Sequence, residues 1–385
     1  MKRLAIVTTH PIQYYAPVFK LLYEKQEIII GVFYTWGERA LDKYDPGFDQ
    51  KITWDIPVFD GYPYEWVLNT AAEPGTHHFK GIINPGLTDQ LSAWHPDAIL
   101  FYGWAYDGHL KAIRYFKNKI PVLFRGDSTL LNEKSGLKGI FKSIFLKWLY
   151  KHIDHAFYVG TNNKAYFKRY GLKDNQLSFA PHAVDNERFE ADKSEDAFLL
   201  RQKLDVRENE ILILFAGKLE DKKSPLLLLN AFLALQKQGV HLLFIGNGAL
   251  ENDLKTKAKN ATNVHFMNFQ NQLAMPAAYQ AADLFCLPSR GPGETWGLAV
   301  NEAMACGKAV LVSDKVGCAI DLVKENYNGT IFQSENSDDL IANLDKLTSS
   351  KSTLTKYGEN SKTIIMNWNF LKIAEAIENK LNEKV

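Results

Sequence analysis

Short apolar runs recur along the whole chain and alternate with stretches patterned as helices. In the first half the runs are Leu4–Thr8, Ile28–Tyr34, Ala98–Tyr102, Val122–Phe124 and Ala156–Val159. In the second half they are Ile211–Ala216, His241–Ile245, Val264–Phe266, Leu284–Leu287 and Ala309–Val312. Strands that are apolar throughout, rather than at alternate positions, are buried on both faces. The pattern therefore predicts parallel sheets covered by helices. Two such series predict two doubly wound α/β domains. The length of 385 residues agrees, because single cores stop growing at about 250–300 residues.

Composition narrows the class. A 46% hydrophobic and 12% aromatic content describes a globular chain rather than a disordered one. A formal net charge of +1 argues against nucleic acid as the main partner, since no excess of Lys and Arg awaits a phosphate backbone. Cys286, Cys306 and Cys318 have neither zinc-ligand spacing nor an even count, and their apolar flanks read as buried thiols in a reducing cytosol. The N-terminal MKRLAIVTTHP has too short an apolar run for a signal peptide and fits a first buried strand. No run approaches 18 apolar residues, so a cytoplasmic protein is expected, with the inner face of the membrane as a place it could work.

That second option comes from residues 136–154, GLKGIFKSIFLKWLYKHID. At 100° per residue Ile140, Phe141, Ile144, Phe145 and Trp148 form one apolar stripe. Lys138 and Lys142 flank one side of it, Lys147 and Lys151 the other. Four lysines near an anionic bilayer would contribute on the order of 4 kcal/mol. The pattern fits an interfacial helix giving peripheral membrane contact, and it equally fits a core-facing helix with snorkelling lysines. The core-facing arrangement is the expectation.

Pro288–Ser313, PSRGPGETWGLAVNEAMACGKAVLVS, says most about chemistry. It reads as strand, glycine-rich loop, helix and strand, with Glu294 in the loop and Glu302 inside a helix over Leu298–Cys306. The glycines let backbone approach a ligand closely, and the helix start offers its N–H groups to an anion. Anion-binding amides flanked by two carboxylates suit a ligand that is part phosphate and part polyhydroxylated, as a nucleotide sugar is. A second loop, FAGKLEDKKSP, follows strand Ile211–Ala216 at the carboxyl edge of the predicted sheet. Ser224 and Pro225 read as the N-cap and first turn of a helix that runs to a stop at Gly239.

The Pro288–Ser313 segment resembles the E-x7-E signature of the retaining glycosyltransferases of family 4, whose pattern is close to P-S-x-x-E-G-F-G-L-x-x-x-E-A-M-A-x-G-x-P-V-V. Pro288, Ser289, Glu294, Gly297, Leu298, Glu302, Ala303, Met304, Ala305, Gly307 and Val310 match, while Thr295 and Trp296 replace Gly-Phe and Lys308-Ala309 replace the residue-plus-proline. Gly217, Leu219 and Lys223 match the family's G-R-L-x-x-x-K-G, with Lys218 standing for the arginine and Ser224 for the last glycine. Pro181, Val184, Asp185 and Phe189 match its interdomain stretch.

The resemblance implies the GT-B fold: two Rossmann-like doubly wound domains facing a cleft that closes on the donor. It divides the chain into residues 1–188 for the acceptor, 189–365 for the nucleotide sugar and a C-terminal helix in 366–385, from Phe370 to Lys384, crossing back to the first domain. It implies a retaining transfer from a nucleoside-diphosphate sugar to a hydroxyl acceptor, in bacterial polysaccharide or glycoconjugate synthesis. Lys218 and Lys223 would bind the diphosphate and neutralise the leaving group. Glu302 would hold the ribose. Glu294 with the amides of Thr295, Trp296 and Gly297 would hold the sugar, and the Leu298 amide would face a phosphate. Gly217, Gly246, Asn268 and Phe269 would lie beside the nucleotide. The family's G-G-x-x-E continues here as Gly317-Cys318-Ala319-Ile320-Asp321, which puts any role for Asp321 in doubt.

The first domain matches only in architecture. His10, Gln13 and Tyr14, after the first strand, are the acceptor-binding candidates, and Asp127, in Arg125-Gly126-Asp127-Ser128-Thr129, falls near a family histidine that contacts the sugar. His10 also fits a structural loop residue, and Asp127 equally fits a helix cap. The acceptor could be a glycan, a lipid-linked molecule or a small molecule. No motif supports a metal or other cofactor. The alternatives are a GT-B sugar-nucleotide epimerase or hydrolase, and a non-catalytic nucleotide-sugar-binding or membrane-recruitment protein.

Overall fold

The computed structural model describes residues 1–38, 44–45, 50–51, 53–131, 133 and 136–383. The last residues of the expected C-terminal helix, including Lys384, lie outside them. The chain divides into two compact units. The first is Met1–Lys43, Ile56–His182 and Phe370–Val385, and the second is Tyr44–Asp55 and Ala183–Asn369.

The first unit is built on seven strands: β1 (Arg3–Thr8), β2 (Ile29–Tyr34), β3 (Tyr64–Trp66), β4 (Ala98–Tyr102), β5 (Val122–Arg125), β6 (His155–Tyr158) and β7 (Leu177–Phe179). They pair in parallel in the order β3-β2-β1-β4-β5-β6-β7. Ile6 lies between Val32 and Leu100 in register, so the central strands are apolar on both faces. Phe101, Phe116, Phe124, Leu146, Leu149 and Phe167 belong to one core cluster on this sheet. Helix α1 (Ala16–Lys25), with a proline in its first turn, packs against the C-terminal helix Phe370–Asn382, and Lys25 Nζ lies 2.9 Å from a Glu378 carboxylate oxygen.

The second unit is built on β8 (Ile211–Ala216), β9 (Val240–Ile245), β10 (Val264–Met267), β11 (Leu284–Leu287), β12 (Ala309–Ser313) and β13 (Gly329–Phe332). All pair in parallel, in the order β10-β9-β8-β11-β12-β13. Leu214 sits between Leu243 and Phe285, and the central strand β8 is buried along its whole length. Cys286, Cys306 and Cys318 are free thiols buried in this unit, and burial raises the pKa of each.

Two expectations need correction. Helix α2 (Leu137–Tyr150) buries Leu146, Leu149 and Tyr150 rather than the stripe of Ile140, Phe141, Ile144 and Trp148, which is exposed; only Phe145 of that stripe packs partly against the core. At about 100° per residue the buried set lies roughly opposite the stripe. Helix α3 (Pro225–Leu235) ends at Gln236 in the left-handed conformation, before Gly239. Ser224 precedes it with φ 51° and does not cap it, because its hydroxyl donates back to the Asp221 carbonyl at 3.4 Å. Proline in the first turn then carries the helix start without a side-chain cap.

A buried histidine gives the first unit a pH signature. His109 lies at the core, its Nδ1 donating to the Gly103 carbonyl at 3.0 Å and its Nε2 2.7 Å from the Thr35 hydroxyl. Burial lowers its pKa from 6.5 to about 4, and burial also lowers His155 to about 4. Below 6.5 the unfolded chain takes up protons that the folded unit refuses, so stability falls as pH falls toward 4. Each histidine contributes about 1.4 kcal/mol per pH unit in that window. Melting followed from pH 7 down to 5 should show this slope, and His109→Asn should make it shallower. Parallel slopes for the two proteins would count against the assignment.

Candidate active site

In the second sheet the strand order reverses between β8 and β11. Loops leaving the carboxyl ends of these neighbours diverge to opposite faces, which opens a crevice where open α/β sheets bind ligands. The two loops are Gly217–Ser224 and Pro288–Gly297, the two that the sequence singled out. Arg290 ties them together: its backbone N–H donates to the Lys222 carbonyl at 2.9 Å, and its guanidinium pairs with Asp221.

Between them Lys223 Nζ donates to Glu294 Oε2 at 2.6 Å, and Ser289 Oγ donates to the same oxygen at 2.9 Å. The side chains are only 16% and 10% exposed, so this is a desolvated ion pair and its members are fixed in position. Both bonds fall on Oε2, and Oε1 takes neither. Lys218 follows Gly217 on the same loop, half-buried.

Glu294 leads through Thr295 and Trp296 to helix α4 (Leu298–Ala305). Gly297 stands at the helix start with φ 98°, a left-handed position that suits glycine, and no side chain caps the first amides. Those amides and the dipole favour an anion at this end. The loop is held from behind by Gly317 and Cys318, whose N–H groups donate to the carbonyls of Glu294 and Trp296 at 3.1 and 2.9 Å. A Cβ on Gly317 would lie 1.7 Å from the Thr295 carbonyl oxygen, so only glycine permits this approach. Here the first glycine of the G-G-x-x-E resemblance acquires a physical role.

Glu302, one turn into α4, is buried and accepts a hydrogen bond from Tyr279 Oη at 2.7 Å. The Trp296 ring is buried too, its Nε1 donating to Asn301 Oδ1 at 2.8 Å and its centroid 5.1 Å from that of the tilted Trp368 ring. The loops after β9 and β10 converge through a residue given no role of its own by the sequence reading. Asn247, beside Gly246, accepts from the Phe269 N–H at 2.8 Å and donates to Glu251 at 3.0 Å and to the Asn268 side chain at 3.3 Å. Gly217 and Gly246 are locked in the same series, donating to the Ile245 and Met267 carbonyls. Tyr279 and Asn247 carry no local signature that separates them from ordinary polar residues, while Ser289 matched the signature without being given a role.

In the first unit His10 lies just past β1, 2.8 Å through Nδ1 from the Thr9 hydroxyl and edge-on to Trp36. Gln13 is buried and Tyr14 half-buried in the turn before α1. Asp127 lies two residues beyond β5, with a carboxylate oxygen 3.7 Å from Nε2 of the buried His182. Burial lowers the His182 pKa, against the opposing pull of Asp127. Arg125 is buried beside them and donates to the Ala180 and Pro181 carbonyls at 2.7 and 2.8 Å. Burial, with Asp127 adding to it, pushes the Tyr15 phenol well above its usual range. His182, Arg125 and Tyr15 thus complete a polar cluster of which the sequence reading named only Asp127 as a site residue. Among the described residues no group of three or more His, Cys, Asp or Glu is placed to hold a metal ion.

The family model described as glycosyl transferases group 1 matches residues 196–364, which contain both loops of the switch point. Over these residues the chain is similar to the group 1 glycosyl transferases. The chain is 28% identical over 194 residues to D-inositol 3-phosphate glycosyltransferase of Nocardiopsis dassonvillei, covering 47% of this chain and 44% of that one. It is 26% identical over 207 residues to N,N'-diacetylbacillosaminyl-diphospho-undecaprenol alpha-1,3-N-acetylgalactosaminyltransferase of Campylobacter jejuni, covering 50% and 51%. The chain spans between 37% and 66% of the length of the first curated relatives it matches. Among solved structures it is similar to Anabaena HepE in complex with UDP and glucose, at 16% identity and a TM-score of 0.70, covering 100% of both chains. The fold of the chain is GT-B, with parallel sheets of seven and six strands.

Proposed function

We propose that this chain is a retaining glycosyltransferase that moves a sugar from a nucleoside-diphosphate donor to a hydroxyl acceptor in polysaccharide or glycoconjugate synthesis. The observation that carries the reading is the switch-point junction of Lys223 and Glu294, with the Glu302 helix starting four residues beyond Glu294. A diphosphate needs cations and amides, a ribose and a hexose need acceptors for their hydroxyls, and this junction supplies both. The D-inositol 3-phosphate and diphospho-undecaprenol relatives support a hydroxyl acceptor of a small-molecule or lipid-linked kind.

In the reaction the bond between the sugar's anomeric carbon and the phosphate oxygen breaks, and the acceptor oxygen bonds to that carbon on the same face. The acceptor's proton passes to the departing phosphate oxygen. Negative charge grows on the diphosphate as it leaves, so Lys218 and Lys223 stabilise the transition state more than the ground state. Lysine acts here as a point charge, without the bidentate fork of the arginine found in the family pattern. Glu294, fixed by Ser289 and Lys223, presents its other oxygen to the sugar, while Glu302, oriented by Tyr279, holds the ribose. From the first unit, Asp127, His10, Gln13 and Tyr14 serve the acceptor and the sugar.

The test is a melting panel with UDP-, GDP-, ADP- and TDP-sugars, followed by product analysis with and without acceptors. One donor should raise the melting temperature by mass action, and release of its nucleoside diphosphate should depend on the acceptor. Turnover of the donor alone into an epimer or free sugar would replace transfer with epimerisation or hydrolysis. Binding that survives Glu294→Gln, with no turnover by either protein, would leave only a binding role.

A further inference from the structure

The outward face of α2 is a feature that the donor site leaves unexplained. Leu137, Ile140, Phe141 and Ile144 are between 57% and 76% exposed, and Trp148 continues the ridge. The helix has no Asp or Glu between Leu137 and Tyr150. Lys138 and Lys142 lie along one flank of the ridge and Lys147 and Lys151 along the other, while Arg114 stacks over the Trp148 ring at 5.5 Å. Lys142 meets Glu133 at 3.4 Å, and among the described residues the other three lysines form no ion pair. Beside the Lys147–Lys151 flank a cavity of about 310 Å³ is lined also by Lys117, Tyr150, Tyr170 and Gln176.

We infer that α2 is an interfacial helix that seats the first unit on an anionic lipid bilayer. An apolar ridge with cations on both sides is what the headgroup boundary requires: the ridge enters the acyl region while the lysines reach lipid phosphates, and a tryptophan sits at the interface. The same charge argues against a second copy of the chain, which would bring like lysines together. A core role is already taken by the opposite face of the helix, through Leu146, Leu149 and Tyr150. The basic cavity gives the lysine flank a concave place for a lipid phosphate. This inference stands apart from the donor-site assignment.

Co-sedimentation of the full chain with phosphatidylglycerol/phosphatidylcholine vesicles, against phosphatidylcholine alone, tests it. The chain should sediment with the anionic vesicles and be released by salt. Phe141→Ser/Ile144→Ser should lower partitioning at least about tenfold, and each neutralised lysine, in Lys142→Gln/Lys147→Gln, about fivefold. All four positions are exposed, so the variants should melt like wild type, which confirms that they fold. Wild-type chain left in the supernatant with both vesicles, or a serine variant that sediments like wild type, would overturn the inference. So would a lipid-free dimer that the serine variant dissolves, which would assign the face to a second copy.

Discussion

Lys223→Ala is expected to lower kcat by about 10²–10³ while changing donor affinity far less, because a fixed cation aimed at a leaving diphosphate acts mainly where charge develops. The variant carries a second cost. Lys223 and Glu294 form a desolvated pair at 2.6 Å, so alanine leaves a carboxylate buried with only the Ser289 hydroxyl as donor. Breaking such a pair costs about 3–5 kcal/mol of stability, and the loss must be separated from the loss of chemistry. Lys223→Met/Glu294→Gln does so, since it removes both charges and keeps the volume. It should melt close to wild type and turn over more poorly than Glu294→Gln alone, which keeps the cation. Recovery of turnover together with stability would show that Lys223 serves the fold and not the leaving group. Steady-state kinetics at saturating donor, paired with melting curves, distinguish the two outcomes.

The interior of both sheets was legible because a strand buried on both faces must be apolar at every position, and each such run but Val264–Phe266 named a central strand. In the two large sheets the strands that escaped are Tyr64–Trp66, Leu177–Phe179 and Gly329–Phe332, three of the four edge strands, Val264–Met267 being the edge strand that was read. An edge strand pairs on one side only and needs no continuous apolar run, so three or four mixed residues suffice and leave no pattern. Helix α2 failed differently. Its periodicity was correct, but an amphipathic stripe reports that one face differs from the other without saying which faces the core. The true inner face, Leu146, Leu149 and Tyr150, is apolar as well, and only packing distinguishes the two.

At the site the legible part was covalent neighbourhood: glycines where backbone must turn, and charged groups at fixed spacing. What the sequence hid is support from afar. Tyr279 reaches Glu302 across 23 residues, Gly317 braces the Thr295 loop, and Lys223 meets Glu294 across 71 residues. Each of these contacts exists because parallel strands bring loops and helices of distant sequence together.

That support shapes the second large effect. Glu302→Ala should weaken binding of the nucleoside diphosphate alone by about 10–100-fold, since hydrogen bonds to a charged group contribute roughly 1.5–3 kcal/mol each. Titration calorimetry without sugar or acceptor reads this directly, because neither the transferred sugar nor the chemistry is then present. Tyr279→Phe leaves the carboxylate in place and removes the hydroxyl that donates to Oε2 at 2.7 Å. Its effect should be smaller, only a few-fold, and should appear in the same affinity rather than in kcat, as expected of a positioning residue. Glu302→Gln should fall between the two, since the amide keeps an acceptor oxygen but not the charge. A Glu302→Ala protein that binds the nucleotide as tightly as wild type yet no longer transfers sugar would move this carboxylate from the ribose to the reacting centre. Glu294 alone would then be left to grip the hydroxyls beside it.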